Sequence, residues 1–214
     1  MPAARNTYHH GDLREALVRA GLAMARGHGA EAIVLREATR QTGVTARAAY
    51  RHFADREALV LAVAQAALAN MAHTITEAQA GASGGAAMLR GVGEGYIRFA
   101  LDEPGWFDVA FFAMGDMVAG SHDTAGTPLP YTQLGDALQQ LVAERRLRPE
   151  NVDAAAITCW SGVHGFATLT SRGPLRAVPR AEVDAKATRV VADLIDAITL
   201  IDVADPLATR KQDR

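Results

Sequence analysis

Apolar residues recur along most of this chain at intervals of three and four, the period of a helix with one buried face. No segment alternates apolar and polar positions as a strand would. From Asp12, "DLREALVRAGLAMARGHG" sets Leu13, Ala16, Leu17, Ala20 and Met24 on one stripe, with Asp12 placed to cap it and Gly27 or Gly29 to end it. "VLREATRQTG" predicts a short second helix closed by Gly43, and "VTARAAYRHF" predicts a third, capped by Thr45. Asp55 then caps a long helix that ends in "GASGG" at 81–85. Beyond it the pattern predicts helices over "AAMLRGVGEGYIRFALDEPG" and "WFDVAFFAMGDM", and, after the break "VAGSHDTAGTPLP", over "YTQLGDALQQLVAERRL" as far as Pro149. Two long apolar helices follow, at roughly 152–171 and 182–202. The expectation is an all-α protein of about nine helices.

Composition agrees with such a fold. The chain has 214 residues, 49% hydrophobic and 21% charged, enough apolar material for a real core. A single cysteine, Cys159, excludes an internal disulfide. The first residues lack the apolar stretch of a secretory signal, and no run approaches the roughly 20 apolar residues of a membrane span, so a cytoplasmic, non-membrane protein is expected.

Charge changes the picture more. The net charge is −2, yet residues 1–56 hold nine arginines against Asp12, Glu15, Glu31, Glu37 and Asp55. A basic head on an acidic remainder suits a chain whose head alone meets a polyanion, although chance can produce such an excess.

The head's pattern, two helices joined at Gly43, is a helix-turn-helix. On a helical wheel Ala46, Ala49, Tyr50 and Phe53 share one side of the third helix, and Arg47 and Arg51 project from another. Small Ala46 and Ala48 near the helix start let the backbone come close to a major groove. Val44 is placed to plug the core between the two helices.

"TGVTARAAYRHFADREALV", with the upstream "YHHGDLREALVRAGLAMARGHGAEAIVLREATRQ", resembles the signature of TetR-type (tetracycline-repressor-like) transcriptional regulators without a gap over about residues 8–63. The resemblance implies a helix-turn-helix DNA-binding domain at 1–55 and a ligand-sensing and dimerisation domain at 56–214. It makes the helix after Thr45 the recognition helix. Thr45, Tyr50 and His52 then fall on phosphate-holding positions, and Arg47 is the best candidate for a base edge. Tyr8, His10, Arg36, Ala46 and Arg51 complete the expected DNA-facing set. Arg56 replaces a common lysine and is expected to meet phosphate by its charge and the helix N-terminus. Val34 replaces the family's capping Ser or Thr, and Thr39 replaces a small alanine. A second stretch, "CWSGVHGFATL" at 159–169, resembles the Trp-x-x-x-His-Gly block of one subgroup with a related C-terminal domain.

The remaining 160 or so residues fit the sensing role that the resemblance implies. Trp106, Phe107, Phe111, Phe112, Met114 and Met117, with Tyr96, Phe99, Tyr131, Leu134, Trp160 and His164, are candidates to line an apolar effector pocket. Aromatic residues at helical spacing serve a plain core equally well. The final two helices offer small residues at Ser161, Gly162, Gly165 and Ala167 and a stripe of Val190, Leu194, Ala197, Ile198 and Ile201. They are expected to pair a homodimer across a two-fold axis on an inverted-repeat operator.

Two rivals remain beside a ligand-released repressor. One is a DNA-binding regulator without a ligand. The other is an all-helical enzyme, with Cys159 and His164 as nucleophile and base; five residues apart on one helix, those two point about 140° apart. Neither a Glu-x-x-His pair nor a phosphate loop is present. His9 and His10 lack further ligands of suitable spacing, so neither a metal nor another cofactor is expected.

Overall fold

The computed structural model describes residues 10–113 and 129–200. Nine α-helices appear among them, and no strand. They are α1 (His10–Ala25), α2 (Leu35–Thr42), α3 (Ala46–Ala49), α4 (Arg56–Ala78), α5 (Gly85–Asp102), α6 (Pro104–Phe112), α7 (Leu129–Ala143), α8 (Val152–Ser171) and α9 (Arg180–Leu200). The all-α expectation therefore holds for the described residues.

Two compact units divide the described chain, 10–68 with 103–113, and 69–102 with 129–200. The first unit is built on the apolar stripes of α1, α2, α3 and the first half of α4. Leu17, Ile33, Phe53, Leu59 and Val63 are almost wholly buried there, with Val109 of α6. Burying a side chain of this size contributes about 1.5–3 kcal/mol. Val44 packs on this cluster from the turn, as the pattern predicts. Polar ties bring α6 into the same unit. Trp106 donates its indole N–H to the Leu22 carbonyl at 2.8 Å, and Arg26 pairs with Glu103.

In the second unit α5 is the central helix and packs on α7, α8 and α9. Its core includes Ile97, Phe99, Leu134, Leu138, Leu141, Phe166 and Val191, all buried. Contrary to the expectation from sequence, α4 is apolar and long enough in composition to pass for a membrane span, yet Leu59, Val63, Met71 and Ile75 along it are fully buried.

Two helices are shorter than their sequence patterns suggest. α7 stops at Ala143 and not near Pro149, because Arg145 takes a left-handed φ of 59° and the Arg146 N–H turns back to the Leu141 carbonyl at 2.9 Å. α3 is a single turn, Ala46–Ala49. After it the N–H groups of Arg51 and His52 reach carbonyls three residues back, which tightens the chain before Phe53 enters the core.

Candidate nucleic-acid interface

The reading head is assembled by caps, since one helical turn cannot hold itself. Gly43 ends α2 in the left-handed conformation, φ 68° and ψ 20°, which a side chain resists. Val44 donates to the Thr39 carbonyl at 3.2 Å, and Thr45 enters α3 as an extended cap, its hydroxyl accepting the Ala48 N–H at 3.3 Å. Asp55 accepts the Ala58 N–H at 2.8 Å and so starts α4. Val34 stands at the cap of α2 with no side-chain bond, so the substitution of the usual Ser or Thr does remove a cap. Thr39 is buried and donates its hydroxyl to the Arg36 carbonyl at 2.6 Å.

The sides of α3 separate, with one correction. Ala49 and Phe53 are buried, but Tyr50 is 58% exposed and Ala46 is also exposed, so the two are not part of the core face. Because α3 tightens after Ala49, Tyr50 swings outward beside Arg47 and Arg51, which are likewise exposed.

The arginines of the head have different fates. Arg19 pairs with Glu15, Arg40 with Glu37, and Arg26 with Glu103 while lying over the Trp106 ring. Arg14 lies over Phe53, 5.3 Å from the ring centre. Arg36, Arg47 and Arg51 are exposed, and among the described residues no carboxylate pairs with them. The uncommitted positive charge is thus that of α2's start and α3. The Glu37 carboxyl is held down, to about 2, first by its bond to Arg40 and then by Gln41, so that pair stays ionised near neutrality.

Arg56 is tied to the head's own backbone, a contact that the sequence does not suggest. Its guanidinium donates from Nη2 to the Ala30 carbonyl at 2.6 Å and from Nε to the Ile33 carbonyl at 2.8 Å. Bonded to the head's own backbone, its side chain is still 42% exposed. Tyr8, His9, Met114, Met117 and Ile201 lie outside the described residues, and of His10 only its place at the start of α1 is described.

The aromatic residues expected to form one pocket are divided. Trp106, Phe107 and Phe111 lie on α6 in the first unit, where Phe107 is fully buried and its ring is 5.0 Å from that of Phe111. Tyr96, Phe99, Tyr131, Leu134, Trp160 and His164 belong to the second unit. Phe99 and Leu134 are buried, and the other four meet in two pairs. Tyr96 Oη lies 2.8 Å from His164 Nδ1, and the rings of Tyr131 and Trp160 are 5.3 Å apart.

The Tyr96 phenol and the His164 imidazole therefore share one hydrogen bond across the unit. Burial pushes the Tyr96 phenol up and the His164 imidazole down, which keeps both uncharged. Sequence reasoning missed Gln133, which donates to the Ala72 carbonyl and Thr76 Oγ1 and leaves Oε1 buried without a partner. No periodic signal marks such a residue. Burial also pushes the Cys159 thiol up to about 11, the opposite of what a nucleophile needs.

On α8, Ile157, Ser161 and Leu169 are exposed and Gly165 faces open space, whereas Gly162 is covered by Leu194 and Ala167 is buried. The buried stripe of α9 is Val183, Ala187, Val191, Ile195 and Ile198, so Ile198 belongs to the chain's own core. Val190 and Leu194 are half-buried and Ala197 is exposed.

The family model described as "Tetracyclin repressor-like, C-terminal domain" matches residues 89–194. No curated protein matches the chain. Among solved structures, a Rhodococcus sp. RHA1 protein of unknown function is similar with a TM-score of 0.71 at 23% identity, over 91% of this chain and 100% of that one. A TetR transcriptional regulator from Streptomyces coelicolor is similar with a TM-score of 0.50 at 22% identity, over 86% and 97%. A TetR-family regulatory protein from Rhodococcus RHA1 reaches 0.59 at 16% identity, over 87% and 96%. Residues 89–194 thus carry a tetracycline-repressor-like C-terminal domain, and the chain shares the fold of TetR-family regulators.

Proposed function

We propose that this chain is a ligand-responsive repressor that binds an inverted-repeat operator as a homodimer and is released by a small apolar molecule. The observation that carries the DNA-binding part is the selective freedom of charge on the head. Among the described residues of the head the other arginines are paired, stacked or bonded to backbone, while Arg36, Arg47 and Arg51 remain exposed around a one-turn helix that also presents Tyr50. Arg47 reads a base edge. Arg36, Tyr50, Arg51, His52 and the Thr45 hydroxyl hold phosphate, and Ala46 allows the close approach. Tyr8 and His10 join them in this reading, His10 being the first residue of α1.

The effector site is centred on Tyr96, His164, Trp160 and Tyr131. A neutral polar pair within aromatic walls suits an uncharged ligand with a few polar groups. For the homodimer, the supporting observation is the apolar face left exposed on α8 at Ile157, with 64% exposure, and at Leu169 beside the open Gly165.

Selection of duplexes from random-sequence DNA by the full chain tests the reading. An enriched inverted repeat, with half-sites about one helical turn or slightly more apart, is the expected result. No enrichment, or a chain that stays monomeric at micromolar concentration, contradicts it.

A further inference from the structure

The Ala30 peptide is held from both sides. Its N–H donates to Asp108 Oδ2 of α6 at 3.2 Å, and its carbonyl accepts Nη2–H of Arg56, the first residue of α4, at 2.6 Å. The same guanidinium reaches the Ile33 carbonyl at 2.8 Å, and its remaining nitrogen lies 4.0 Å from Glu57. Gly29 makes room for the carboxylate. Its φ is 68°, and a Cβ there would collide with Asp108. Residues 30–33 lead directly into α2, whose own cap position, Val34, supplies no side-chain bond.

We infer that Arg56 and Asp108 form a clamp on the Ala30–Ile33 turn that positions the DNA-reading helices, Arg56 acting as a positioning residue and not as a phosphate contact. The inference rests on the proposed DNA binding. A planar guanidinium can donate to two carbonyls at once, in fixed directions. A lysine ammonium in its place keeps the charge but loses that fork. The turn is thereby tied to α4 on one side and α6 on the other, which compensates for the uncapped start of α2.

The test uses the full chain and a duplex that the wild type has selected from random-sequence DNA. Affinities for that duplex and for a random duplex are measured across a salt series, at a temperature where every variant is folded. The variants are Arg56→Lys, Arg56→Met, Asp108→Ala and Asp108→Asn. The clamp predicts that Arg56→Lys and Arg56→Met both lose about tenfold in preference for the selected duplex, comparable to one charge-assisted hydrogen bond. The salt slope on random DNA stays unchanged. Asp108→Ala loses preference too, although removing a negative charge favours a polyanion, and Asp108→Asn retains it because its amide oxygen still accepts the Ala30 N–H.

A phosphate contact predicts otherwise. Arg56→Lys then binds like the wild type, Arg56→Met lowers the slope by about 0.9 while weakening both duplexes equally, and Asp108→Ala binds more tightly. That pattern overturns the clamp and leaves DNA binding intact, as does lowered stability with unchanged preference. A wild type that selects no sequence overturns both readings. Independently of DNA, the Ala30 amide should exchange slowly in the wild type and in Asp108→Asn but fast in Asp108→Ala. Fast exchange in the wild type also overturns the clamp.

Discussion

Arg40 and Arg47 stand seven positions apart on neighbouring helices and have opposite fates, one bound to Glu37 and the other exposed without a carboxylate partner among the described residues. If exposed charge on α3 reads DNA, Arg47→Ala should cost about 1–3 kcal/mol at one base pair and relax specificity there. Tyr50→Phe should weaken all sequences more evenly, and equilibrium titrations against single-substituted duplexes separate the two. Sequence exposes some of these fates and not others. The Arg40–Glu37 and Arg19–Glu15 pairs lie within one helical turn and can be read from spacing. The Arg26–Glu103 pair spans 77 positions and the Arg56–Ala30 bond 26, so only tertiary structure reveals them. Hence the expectation for Arg56 from sequence includes its charge but not its two bonds to the Ala30 and Ile33 carbonyls.

His164 carries a pH prediction. Burial lowers its pKa from the ordinary 6.5, so on acidification the unfolded chain takes up the proton first. The stabilisation from burying a neutral imidazole is therefore complete above that value and declines as pH falls below it. Melting temperatures of the wild type and His164→Gln should diverge below that pH and run parallel above it. Parallel curves throughout would contradict the neutral Tyr96–His164 pair.

At the scale of an element, α3 depends on its ends. A one-turn helix has no interior, so Gly43, Thr45 and the Asp55 cap that follows matter more than propensity. Thr45→Ala should cost about 1 kcal/mol of stability, and Gly43→Ala at least as much, because φ there is 68°. Urea denaturation of the full chain measures both. These caps were legible because Gly, Thr and Asp act locally. The length of α3 was not, since the tightening after Ala49 follows from Phe53 being drawn into the core. The end of α7 was missed for a related reason: Arg145 adopts a conformation usually left to glycine.

Across the described residues the helical count followed from periodicity, but the stripe that α9 buries and the partners of α6 did not. Trp106 and Asp108 on α6 bond to backbone groups of the first unit that no spacing in the sequence indicates. An apolar stripe reports that a face is buried and not against what. Repression relieved by a ligand requires coupling between sites, and a hundredfold loss of DNA affinity corresponds to about 2.7 kcal/mol. By reciprocity, operator DNA must weaken effector binding by the same factor, which titration of an effector with and without operator checks.

The central claim is that the exposed face of α3 reads DNA sequence. It is tested most directly by titrating wild type and Arg47→Ala against the wild-type-selected duplex and against its variants at each half-site position. The account predicts that the substitution weakens the selected duplex and abolishes discrimination at one symmetric pair of positions, leaving the others intact. Equal affinity and an unchanged discrimination profile in the two proteins would contradict it.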